Sequence, residues 1–70
     1  MIQVGKTYRY RSIGSINYDV VFTVVRRHGE IPRMAEALIL ESGGLHVTFP
    51  EGSIICIAEH SMMGEESIEI

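Results

Sequence analysis

Between Tyr18 and Leu40 the chain carries two long β-prone runs, YDVVFTVVRR and RMAEALIL, joined by HGEIP. Seven residues of the first run (Tyr18, Val20, Val21, Phe22, Thr23, Val24, Val25) are β-branched or aromatic, side chains that suit a pleated, half-buried surface, so it reads as a strand. In the joining segment Gly29 can take positive φ and Pro32 cannot donate to a ladder, which is hairpin punctuation. The two runs are therefore expected to pair antiparallel. Length then constrains everything else. Ten residues of strand span about 33 Å, whereas a compact domain of this size is only about 28 Å across. Both strands are expected to coil and bend, giving one face to the core at one end and the other face further along. That would account for apolar residues on both sides, Val20, Phe22 and Val24 on one and Val21 and Val25 on the other. A central sandwich strand covered on both faces would need more than 70 residues.

The segments around the hairpin follow from the same periodicity. Lys6 to Ile13 alternates, with Tyr8 and Tyr10 on one face and Thr7, Arg9 and Arg11 on the other. Gly14 to Asn17 is too short for a crossover helix, so this strand should pair antiparallel with the next. Met34 to Glu41 has good helix propensity, but an eight-residue helix is marginal alone and would leave Tyr18–Arg27 without a partner. The strand reading over 33–41 is adopted. Ser42-Gly43-Gly44 then reads as a tight turn into an alternating strand, 45–49, and Pro50 to Ser53 as a single turn or 3₁₀ bend. Ile54 to Ala58 is continuously apolar and is expected at the centre of the core, with Cys56 acting as a small buried hydrophobe. The expected core is Tyr10, Val20, Phe22, Val24, Ile39, Val47, Phe49, Ile55 and Ile57. Residues 1–59 form the expected domain, and 60–70 an acidic tail or an added edge strand.

Five strands of this spacing, the second and third long and bent, with a single turn before the last, resemble the strand plan of SH3-like small β-barrels over residues 6–59. The fold class expected is all-β, a five-stranded SH3-like barrel or a curled antiparallel meander. Gly5-Lys6-Thr7-Tyr8 is similar to the Gly-x-x-Tyr start of small proteins of phages and other mobile elements. That resemblance implies a small regulator or inhibitor. An OB-like barrel is disfavoured by length.

Composition limits the chemistry. With one cysteine and three dispersed histidines (His28, His46, His60), neither a disulfide nor a zinc site is expected. A domain this small buries only about 60% of the surface of its unfolded chain, so association is the expected source of added stability. No apolar run reaches about 18 residues and MIQVGKTYRYR lacks a signal peptide's apolar centre, which points to a soluble, cytoplasmic protein without a membrane partner. There is no Walker loop, G-x-S-x-G or H-E-x-x-H, and only Asp19 and Glu30 precede residue 36. No enzyme, catalytic residue, cofactor or metal is expected, and the histidines read as solvated surface groups.

Charge is unevenly distributed along the chain. All six Lys and Arg lie in residues 1–33 beside two acids, giving +4, while 34–70 holds seven glutamates and no Lys or Arg, giving −7. A dipolar molecule is expected. Two function classes follow. The first is an interaction protein, self-associating or bound to another protein, because more apolar side chains lie on long strands than the core can cover. Its candidate interface is Val21, Val25, Met34 and Leu38 on the outer face of the hairpin, and a homodimer is the default. The alternative is a weak nucleic-acid binder using Arg9, Arg11, Arg26, Arg27 and Arg33 with nearby tyrosines, set against a net charge of −3.

Overall fold

Five antiparallel strands and one short helix follow one another as β1 (Thr7–Ser12), β2 (Tyr18–Arg27), β3 (Met34–Gly44), β4 (Ile54–Ala58), α1 (Met62–Glu66) and β5 (Ile68–Glu69). A computed structural model describes residues 2–12, 18–44 and 49–70. The strands form one sheet in the order β4-β3-β2-β1-β5. Among the described residues β4 and β5 are its two free edges, so the sheet curls without closing into a barrel. The all-β class expected is found, as one open antiparallel sheet in which β1 to β4 follow one another as neighbours and β5 returns to β1.

The long hairpin forms as its composition dictates. Val24 faces Ala37 and Phe22 faces Ile39 across the β2–β3 ladder, and the inward residues Val20, Phe22 and Val24 are fully buried. The helix-prone run from Met34 is strand because Ala35, Ala37 and Ile39 alternate inward, where they complete the core between β2 and β4. Bending is achieved differently from the expected exchange of faces. The register slips between Val21 and Phe22, where β3 carries Leu40 as an extra residue, and between Val24 and Arg26, where β2 carries Val25. Two bulges of this kind kink and twist the ribbon. Val20, Phe22 and Val24 therefore stay inside along the whole strand, while Val21 and Val25 stay half-buried on the outside. The curl holds the longest dimension to 32 Å and the radius of gyration to 11.3 Å.

Inside the curl the rows Tyr10–Val20–Ser42, Tyr8–Phe22–Ile39 and Val24–Ala37–Ile55 stack as cross-strand neighbours. The rings of Tyr8 and Phe22 are 5.8 Å apart at a tilt. Ile2 from the lead-in segment belongs to this core, and Phe49 and, from α1, Met63 pack against it. Ile2, Tyr8, Ala35 and Ala37 join the residues expected there, whereas Val47 lies outside the described residues.

Three expectations are corrected. Ser42-Gly43-Gly44 is not a turn but the end of β3, paired with Tyr18 to Val20. Ile54–Ala58 is not central but an edge strand, since it pairs with β3 alone. Its outward residues are open to solvent: Ile54 is 51% exposed and the Cys56 thiol, expected buried, is exposed. The turn expected at 50–53 is present, closed by the Ser53 N–H on the Pro50 carbonyl at 3.1 Å, and beyond β4 the chain adds α1 and then β5, which pairs with β1. The strand expected at 45–49 and the turn at 14–17 fall largely or wholly outside the described residues.

Candidate interaction surface

Strand alternation sets which residues share the convex outer face of the sheet. Cross-strand registers place Thr7, Thr23, Leu38 and Ile54 in one row, Arg9, Val21 and Glu41 in a second, and Arg26, Glu36 and Cys56 in a third. The hydroxyls of Thr7 and Thr23 hydrogen-bond at 2.8 Å, which satisfies the polar groups in the middle of the face. Of the candidate interface residues, Val21, Leu38 and Met34 lie on this face and Val25 is the extra residue of a bulge, all four half-buried, with the Arg26–Glu36 row between Leu38 and Met34. The face is wider than the sequence suggested. Leu40 is 43% exposed at its bulge, and Ile54 extends the apolar strip to the β4 edge. Leu40 and Ile54 escaped the sequence reading because a bulge and an edge position were not foreseen. On the far edge Ile68 and Ile70 are exposed beside β1.

Ion pairs lie beside and between these side chains. On one side the Arg9 guanidinium donates to both carboxylate oxygens of Asp19, at 2.9 and 2.6 Å, and Arg11 reaches the same carboxylate at 3.2 Å. The hydrogen bonds and charge of Arg9, with Arg11 beside it, hold the Asp19 carboxyl below its ordinary pKa, and the same contact raises that of Arg9. At the other end Arg26 meets Glu36, its cross-strand partner, and Arg27 meets Glu59. Both pairs engage by charge a carboxylate oxygen, Glu36 Oε2 and Glu59 Oε1, that the fold has withdrawn from water and that accepts no hydrogen bond among the described residues. Lys6 pairs with Glu69 at 3.7 Å.

The arginines proposed for nucleic acid are thus placed but not gathered. Arg9 and Arg11 sit at the β1 side of the sheet and Arg26 and Arg27 at the end of β2 beside the hairpin tip. Among the described residues Arg33 alone of the five has no carboxylate within ion-pair distance, and it holds a left-handed backbone at φ 61°. An open depression beside Arg9 is lined by Asp19, Glu41 and Glu51 as well, an acidic setting for a phosphate. Contrary to expectation, His28 is structural. Its Nδ1 accepts the main-chain N–H of Glu30 and of Ile31, both at 3.1 Å, and so ties the hairpin loop. Among the described residues no group of three or more His, Cys, Asp or Glu is placed to hold a metal, and no helix is long and apolar enough to cross a membrane. No family model, curated protein or solved structure matches this chain.

Proposed function

We propose that this protein is a non-enzymatic interaction module that works by covering the outer face of its sheet, with a second copy as the default partner and another protein as the variant. The observation that carries this reading is the number of apolar side chains that the outer face presents around the Arg26–Glu36 pair, half-buried Val21, Val25, Leu38 and Met34 with the exposed Ile54 and Leu40, uncovered by any other described element. Surfaces of this kind mark interaction sites, and a chain this small without disulfide or metal gains stability by association. The strand order, with a helical turn before a last strand that returns to β1, supports placing it with SH3-like small β proteins. A regulator or inhibitor of the phage or mobile-element kind fits that placement.

Light scattering on wild type and Leu38→Glu, at low and high salt, tests the reading. The wild type is expected to be a dimer at both, because burial of apolar area survives screening, and Leu38→Glu to be a monomer. A dimer that dissolves in high salt would mean charge pairing holds the copies instead. A wild-type monomer would end the self-association form of the proposal. Nucleic-acid binding is the second reading, kept by Arg33 and the exposed guanidinium edges of its neighbours.

A further inference from the structure

We propose that the free edge of β4 pairs with β4 of a second copy about a two-fold axis through Cys56, making one continuous ten-stranded sheet. The inference rests on the reading that this chain acts by association, and commits it to an edge, an occupant and a register.

The hydrogen bonds at both ends of β4 show which of its groups are spare. Ile39 N–H donates to the Ser53 carbonyl at 2.9 Å and Glu59 N–H to the Arg33 carbonyl at 2.9 Å. In an antiparallel ladder successive residues point their main-chain groups to opposite sides. Ser53, Ile55, Ile57 and Glu59 therefore face β3, while Ile54, Cys56 and Ala58 face the open edge. Of these the Ala58 carbonyl is already taken by the Ser61 N–H at 3.2 Å and the Ser61 hydroxyl at 2.8 Å. The N–H and C=O of Cys56 and of Ile54 and the N–H of Ala58 remain for a neighbour.

Natural sheets guard such edges with charges, prolines, bulges or brevity. The other edge is guarded in this way: β5 has two residues, and Glu69 is tied to Lys6. β4 is not. Its sequence IICIA has no charge or proline, and its register with β3 runs without a slip. A row of spare donors and acceptors on a five-residue apolar strand is a template for another strand.

Charge and hydrogen-bond parity select the partner and the register. With the axis at Cys56, Ile54 meets the copy's Ala58 and Ile55 the copy's Ile57, so the pairing stays within the five uncharged residues of β4. An axis at Ile55 would require groups already bonded to β3. One at Ile54 would set Ala58 opposite Pro50, which has no N–H to offer. The Cys56 register lets its N–H and C=O bond reciprocally to the copy's Cys56, and lets Ala58 N–H donate to the copy's Ile54 carbonyl. It also runs the apolar strip of Leu38 and Ile54 across the axis.

A hydrogen-bonded antiparallel pair has its Cα atoms about 5.5 Å apart, within the range a disulfide spans, so the register can be read chemically. Diamide takes two electrons and two protons from two thiols to give one disulfide and a hydrazine. Treated with diamide and run without reductant, the wild type is expected to migrate as a covalent dimer. Cys56→Ser should lose the cross-link yet keep a dimeric mass in solution. Cys56→Pro removes an N–H that no strand of its own copy uses, so it should keep the wild-type circular dichroism and halve the scattering mass. Cys56→Lys sets like charges face to face across the axis, beside a Glu36 that tolerates them within the copy, and should halve the mass as well. A dimer that persists in both variants and fails to cross-link would overturn the edge register. If that dimer is nonetheless lost in Leu38→Glu, the outer-face reading survives on its own. A monomeric wild type overturns both.

Discussion

Asp19 serves two arginines at once, and its position explains why a single acid can hold the β1 side of the sheet. It lies opposite Arg11 in the β1–β2 register, while Arg9, two residues away on the same face, closes a two-pronged bond to it. Such charge-assisted, two-point contacts are the stronger class of surface pair, although exposure to solvent screens them. Because the Arg9 hydrogen bonds hold the folded Asp19 below its ordinary pKa, the folded state takes up a proton less readily than the unfolded chain. The resulting stabilisation is present above the ordinary carboxylate range and is lost as pH falls through the folded pKa. Thermal unfolding of wild type and Asp19→Asn should therefore show a gap in Tm near about pH 6 that closes towards about pH 2. A gap that widens in acid would mean that Asp19 is not the proton-linked partner. At the hairpin tip the His28 ring serves the loop, its Nδ1 accepting the main-chain N–H of Glu30 and of Ile31.

Helix α1 shows what one residue can decide for an element. It is only five residues long, a length that does not sustain a helix alone, and it is held by its ends. Ser61 caps it by accepting the Gly64 N–H at 3.3 Å, and the Ser67 hydroxyl donates back to the Met63 carbonyl. Gly64 is buried against the end of β4, where an added Cβ would lie 2.4 Å from the Ala58 carbonyl and 2.6 Å from that of Glu59. Alanine is worth up to about 1 kcal/mol over glycine in a helix, whereas forcing atoms into a packed site costs about 1–3 kcal/mol. The obstacle here is backbone, which cannot swing away, so the second effect wins. Gly64→Ala is expected to lose about 1–2 kcal/mol in urea unfolding, and equal or higher stability would show that α1 does not seat on β4. This glycine also marks where the sequence stopped being legible. The alternation of β1 and the β-branched run of β2 announced themselves, whereas β3, helix-prone by composition, was legible as a strand only because β2 needed a partner. A close approach between helix and strand imposes nothing on its neighbours in sequence, so Gly64 read as part of a polar tail. For the same reason the apolar run Ile54–Ala58 looked central. Hydrophobicity reports that a strand is apolar, not that another strand lies beyond it.

Taken whole, the molecule undoes the charge segregation of its sequence. Antiparallel neighbours bring the basic first half against the acidic second half, and Arg26–Glu36, Arg27–Glu59 and Lys6–Glu69 are all pairs between the two. With Arg9 and Arg11 committed to Asp19, a nucleic acid approaching this surface must compete with carboxylates already in place. Salt dependence measures how many of those contests it wins, since each phosphate neutralised on duplex DNA contributes about 0.9 to the logarithmic slope. Between about 50 and about 200 mM salt, engagement of all five arginines would weaken binding about 500-fold, and engagement of two about tenfold. Arg33 has no ion pair to break among the described residues, so a fall of no more than about tenfold is expected, from an affinity already weak, with Arg33→Ala removing most of what remains. Titration of a labelled duplex at the two salt concentrations distinguishes the cases. A fall of several hundredfold, insensitive to Arg33→Ala, would mean that the ion pairs open on contact and that the arginines, not the apolar strip, are the working surface.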